Sequence, residues 1–184
     1  MNKKKILMVI GSLRKNSLNK QLAEQAGRIL GNRAEVTVLA YTDLPLMNPD
    51  IEFPVPKAVQ EVRNAVNDAD GVWIFFPEYN YSYPGVLKNL LDWISRPVEE
   101  GAPRTTAVSS GKPVTYSSVT GSSGGTKAFE KMYDLLKKIH MEIMADHVFG
   151  ISDPEVENGR MILTDDIKEK LAEQANAFLD FIDA

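Results

Sequence analysis

Between an apolar run ending at Ile10 and a helical stretch from residue 18 lies Gly11-Ser12-Leu13-Arg14-Lys15-Asn16-Ser17-Leu18-Asn19. It offers hydroxyls at Ser12 and Ser17, amides at Asn16 and Asn19, and cations at Arg14 and Lys15. That is a donor set for a phosphate monoester, and a helix N-terminus adds unpaired N–H groups and partial positive charge. The bland alternative is an N-capping serine among surface polar residues. A second stretch, Pro77-Glu78-Tyr79-Asn80-Tyr81-Ser82-Tyr83-Pro84-Gly85, sets three tyrosines between prolines. It reads either as a stiff aromatic wall for a planar ligand or as a turn whose tyrosines pack on the sheet or on a neighbouring subunit. Glu78 reads as a capping or ion-paired carboxylate before a general acid. In a third stretch, Ser117-Ser118-Val119-Thr120-Gly121-Ser122-Ser123-Gly124-Gly125, glycines would let the backbone approach a ligand closely. Its alternative is a hinge before the next helix.

Other chemistries lack their residues. The chain has no cysteine, which removes disulfides, thiolate metal sites and thiol nucleophiles. Its two histidines, His140 and His147, come with no third-ligand pattern, so no metal site is expected. A dinucleotide fingerprint needs three spaced glycines where only Gly11 stands. Gly121–Ala128 mimics a nucleotide-triphosphate loop. Thr126 replaces its second glycine, however, and Ala128 replaces the magnesium-binding hydroxyl. The net charge of −4 argues against broad nucleic-acid binding, which runs on phosphate neutralisation.

Positioning these stretches falls to alternating elements. Ile6–Ile10 and Gly71–Phe76 are solid apolar runs, Val36, Val38 and Ala40 alternate as in an edge strand, and Pro113–Val119 reads as a strand. A last strand region falls at 141–149. Helical stripes run through 18–30, 55–69, 84–95, the Phe129–Ile139 segment and Ile167–Ile182, the last with Thr164 or Asp165 as N-cap. Strands apolar on both faces and alternating with helices predict a doubly wound α/β fold with a five-stranded parallel sheet. The 184 residues predict one domain over 1–184. In such folds ligands bind beyond the carboxyl ends of the strands, which is where the three stretches lie. Together they fit a ligand with a phosphate, a polar tether and a flat ring, the parts of FMN. The apolar runs are too short to cross a membrane. After Lys3–Lys5, only five apolar residues precede Gly11, too few for a secretory signal, so a cytoplasmic protein is expected.

G-S-L-R-K-N-S-L-N, P-E-Y-N-Y-S-Y-P-G-V-L-K-N-L-L-D-W and the Ser/Gly loop together resemble the NADPH-dependent FMN reductases. That flavodoxin-like group includes bacterial quinone, azo and chromate reductases. The resemblance implies strand order 2-1-3-4-5 and bound FMN, with NADPH or NADH as co-substrate. It implies that Ser12, Arg14, Ser17 and Asn19, with the backbone of Leu18, hold the flavin phosphate. Pro77, Glu78, Tyr79 and Asn80 would border the ribityl chain and ring, and Ser118 and Gly121 would meet the pyrimidine edge. It further implies a homodimer or homotetramer, a small-molecule acceptor, ping-pong turnover and no obligatory catalytic side chain. Lys15, Arg96 and Arg104 are the cations that could favour a 2′-phosphate. The competing readings are a flavodoxin-type electron carrier and a flavin-binding regulatory protein. Flavodoxin loops typically resemble T-x-T-G-N-T, without the arginine found here at position 14.

Overall fold

The computed structural model describes residues 3–184; Met1 and Asn2, the start of the domain expected over 1–184, lie outside the described residues. The first strand, β1 (Lys4–Ile10), is buried on both faces from Ile6 onward and becomes an inner strand of the sheet. It is followed by α1 (Leu18–Leu30), β2 (Ala34–Val38), α2 (Lys57–Asp68), β3 (Gly71–Phe75), α3 (Gly85–Ile94), β4 (Pro113–Thr120) and α4 (Thr126–Lys138). The chain ends with β5 (Glu142–Ile143), β6 (Phe149–Ser152), the short pair β7 (Val156–Glu157) and β8 (Arg160–Met161), and α5 (Asp165–Asp183).

The large sheet runs β2-β1-β3-β4-β5, all parallel, so the expected order 2-1-3-4-5 is the observed one. Its fifth position differs from the expectation of one strand. β5 pairs with Pro113 and Val114, the chain leaves the sheet over 144–148, and β6 returns beside Ser117–Thr120. The detour includes His147 at φ 64°, a left-handed conformation that no strand contains.

Side chains alternate across the sheet. Leu7, Val9, Val72, Ile74 and Val114 face α2, α3 and α4, while Ile6, Met8, Ile10, Trp73 and Phe75 face α1 and α5. Trp73, Phe75, Phe76, Trp93 and Phe178 are fully buried, each contributing about 1.5–3 kcal/mol or more by leaving water. Under α5 a polar chain is closed without a loose end. Trp73 Nε1 donates to Ser117 Oγ (3.0 Å), Ser117 Oγ donates to Gln174 Oε1 (2.7 Å), and Gln174 Nε2 donates to Thr115 Oγ1 (2.9 Å) and to the Tyr116 carbonyl (3.0 Å). Thr164 caps α5, its hydroxyl accepting from the Ile167 N–H. Among the described residues no helix is long and apolar enough to cross a membrane.

Candidate functional site

Chain order reverses between β1 and β3, which opens a crevice at the strands' carboxyl ends. The three stretches singled out above leave β1, β3 and β4 at that rim. They are tied to one another. Gly11 N–H donates to the Phe75 carbonyl (2.7 Å), and a Cβ at Gly11 would stand 2.7 Å from Phe76 Cβ, so only glycine lets the first loop cross β3 there. Ser17 is buried and caps α1, its hydroxyl accepting from the Lys20 N–H at 3.2 Å. The N–H groups of Leu18 and Asn19, in the first helical turn, have no partner within the helix. No acidic residue stands in that turn to offset its positive end. Arg14, Lys15 and Asn16 are exposed, and Ser12 is half-buried with its hydroxyl accepting from the Arg14 N–H at 3.4 Å. The loop is therefore an open set of donors around a helix N-terminus.

The Asn19 side chain is tied to β4. It is 3% exposed. Nδ2 donates to the Val119 carbonyl (2.9 Å) and Oδ1 accepts from the Val119 N–H (2.8 Å). β3 ends opposite Ser117, so β4 runs on without a neighbour on that side. The Asn19 amide completes the ladder as one residue of a strand would. What Asn19 leaves toward the crevice is its backbone N–H.

In the second loop Tyr79 and Ser82 exchange backbone hydrogen bonds, at 2.8 and 3.0 Å, around Asn80 (φ 51°) and Tyr81 (φ 59°). Two central residues at positive φ make a tight reversal of the type I′ kind. Asn80 suits it, whereas Tyr81 is strained there, a condition that concentrates at ligand-binding segments. Tyr79 and Tyr81 are 54% and 66% exposed, so they do not pack on the sheet. Tyr83 is half-buried against the core, and that burial pushes its phenol above the ordinary range. Glu78 is a capping carboxylate. Its Oε2 accepts from the Ala128 N–H at 2.9 Å, at the start of α4, whose own N-cap, Gly125, has no side chain to do so. Glu78→Ala should lower stability by about 1 kcal/mol and Glu78→Gln by less, read as denaturation midpoints. Equal midpoints in all three proteins would show that water caps α4 as well as Glu78 does.

Ser118 lies beneath the rim. Its side chain is wholly enclosed and its hydroxyl donates to the Phe76 carbonyl. It fastens β4 to the end of β3. Gly121 is exposed at the rim, and the turn closes through Gly124 and Gly125 at φ 62° and 81°. Beside this turn, between α4 and β6, lies a cavity of about 830 Å³ lined by Tyr116, Phe129, Tyr133 and Phe149 among others. Burial pushes the Tyr116 phenol up to about 12.

Of the cations named for a 2′-phosphate, Arg96 is taken. Its guanidinium grips the buried Glu52 carboxylate through two hydrogen bonds of 2.7 and 2.8 Å. Arg104 stands exposed on a separate turn. The β7–β8 hairpin beside α1 was not expected. Its turn residues Asn158 and Gly159, at φ 50° and 77°, are a recognisable hairpin signal. The flanking Val-Glu and Arg-Met pairs are too short to read as strands.

The donors at α1 suit a phosphate monoester, and the exposed tyrosines and open glycine turn suit a flat polar ring. Comparison with known proteins agrees. The model of the NADPH-dependent FMN reductase family matches residues 4–155. A quinone reductase of Escherichia coli K12 is 32% identical over 187 residues, covering 98% of this chain and 96% of that one. A 2-hydroxy-1,4-benzoquinone reductase of a Burkholderia species is 43% identical over 93 residues, so the chain spans about half the length of that relative (51%) and matches it over 50% of its own. Among solved structures, the flavoenzyme NAD(P)H:(acceptor) oxidoreductase FerB of Paracoccus denitrificans superposes with a TM-score of 0.79 at 27% identity, covering 98% of this chain and 97% of that one.

Proposed function

Since the chain belongs to the NADPH-dependent FMN reductase family, with FMN as its flavin and NAD(P)H as its reductant, we propose that it reduces quinones, and similar acceptors such as azo compounds, chromate and free flavins. When bound, FMN would supply the redox chemistry that links the nicotinamide to the acceptor. The observation that carries the site is the open N-terminus of α1, capped by Ser17 and free of acidic residues, at the switch point of the sheet.

Each protein group then has a definite task. Ser12, Arg14, Ser17 and the N–H groups of Leu18 and Asn19 hold the phosphate. Pro77, Glu78, Tyr79 and Asn80 border the tether and ring, Glu78 by fixing the loop to α4. The Gly121 backbone would meet the pyrimidine edge of the ring, where N–H donors would stabilise negative charge as an oxyanion hole does, and Ser118 would position that segment from beneath. With no side chain needed as acid or base, reductant and acceptor occupy the same face in turn, which is ping-pong turnover. Exposed Leu13, Tyr79 and Tyr81 around the crevice support a homodimer or homotetramer in which a second subunit closes over it.

Anaerobic titration of FMN-reconstituted protein with NADPH should bleach the visible flavin bands promptly, and a quinone should restore them. Flavin that is retained but stays oxidised would favour an electron carrier. Failure to retain FMN would overturn the assignment of the three loops.

A further inference from the structure

On the side of α1 facing the β7–β8 hairpin lies a second cavity, of about 440 Å³. Its wall carries Lys15 from the first loop, Lys20 and Arg28 from α1, and Arg160 from β8, against one carboxylate, Glu24. Lys20, Glu24 and Arg28 stand at i, i+4 and i+8, so they share one helix face. None of the four cations forms an ion pair among the described residues, although seven such pairs occur elsewhere in the molecule. In a chain of net charge −4, this is a concentrated positive patch. It is also placed against the grain of the helix. Lys15 and Lys20 crowd the positive end of α1, where cations are unfavourable.

The cavity is built, not incidental. Gln21 holds the hairpin against α1 from both sides of its amide: Nε2 donates to the Gly159 carbonyl (3.0 Å) and Oε1 accepts from the Met161 N–H (2.9 Å). That clamp holds β8, and with it the exposed Arg160, against α1 at the recess. Four exposed cations without ion-pair partners lining one recess fit a dianionic phosphate monoester. The recess is contiguous with the first loop through Lys15 and Ser17 but extends two turns along α1, beyond the reach of the loop's own donors.

We propose that this cavity binds the 2′-phosphate of NADPH, the group that distinguishes it from NADH, and so sets the reductant preference. The inference rests on the reductase reading above. It replaces Arg96 and Arg104 as 2′-phosphate partners with Lys20, Arg28 and Arg160, and keeps Lys15.

Calorimetric titration of the FMN-loaded protein with 2′,5′-ADP tests it without turnover. Binding should be about tenfold or more tighter than for 5′-AMP, and Arg28→Ala and Arg160→Ala should each weaken it by about tenfold, as expected for one charge-assisted contact. In steady state each variant should lower the NADPH-to-NADH ratio of kcat/KM by a similar factor while FMN content, read from the visible spectrum, stays at the parent level. Equal affinity for 2′,5′-ADP and 5′-AMP would overturn the proposal. So would an equal fall in kcat/KM for both reductants. Inorganic phosphate binding as tightly as 2′,5′-ADP would assign the cavity to free phosphate, and loss of FMN from the variants would assign it to the flavin's own cradle. Because the binding titration needs no hydride transfer, failure of this inference and failure of the reductase reading are separate results.

Discussion

Gly150→Ala should destabilise the protein by more than roughly 3 kcal/mol, at or beyond the upper end of ordinary overpacking. A Cβ on Gly150 would lie 1.8 Å from the Gly124 carbonyl oxygen and 2.9 Å from its carbon. These are backbone atoms, so no side chain can swing aside. Gly124 sits at φ 62° in the turn that opens α4, and Gly150 pairs with Ser118 in β6. Relief requires either β6 to leave β4 or the turn to leave the crevice. In a protein of this length the melting temperature should fall by at least about 6–12 °C, and FMN affinity should fall with it because the third loop moves. A melting temperature within about 1 °C of the parent would show that the 121–125 turn is free to shift and is not a fixed wall.

Asn19→Ala should cost about 2–6 kcal/mol, since it strands both the N–H and the carbonyl of Val119 where water cannot reach them, at about 1–3 kcal/mol each. Asn19→Asp keeps the acceptor but sets a carboxylate oxygen against the Val119 carbonyl, so it should be no milder. Denaturation midpoints measure this effect, and flavin fluorescence quenching measures the second. The amide anchors the first turn of α1 to β4, so its loss should release the N–H groups that hold the phosphate and weaken FMN retention. Reduced stability with unchanged FMN affinity would mean that α1 keeps its place without the clamp.

These two residues show where sequence reading reaches its limit. The elements themselves are legible because their signals are local: the apolar runs of β1 and β3, the α1 stripe over 18–30, and Thr164 as the cap of α5 all stand as expected. So do the three loops at one rim of the sheet and the capping role of Glu78. Asn19 is different. Its partner Val119 is 100 residues away, and nothing near either marks the pairing. Ser118 reads as an available hydroxyl until the end of β3 is seen to lie against it. The interruption of the fifth strand depends on where the edge of β4 can be reached, which no periodicity records. Arg96 looks free because Glu52, its carboxylate, lies in a proline-broken stretch with no pattern of its own.

The break at 144–148 has a consequence for how the molecule behaves in a crowd of its own copies. A long, straight outer strand presents a continuous row of unsatisfied backbone donors and acceptors on which another chain can build a sheet. Here the outer margin beside β4 consists of a two-residue piece and a four-residue piece separated by a left-handed kink at His147. A foreign strand laid along it would lose register within one or two bonds. The interruption therefore protects this margin from fibril-like stacking, and filling it in to make a regular strand would be expected to yield a stickier protein.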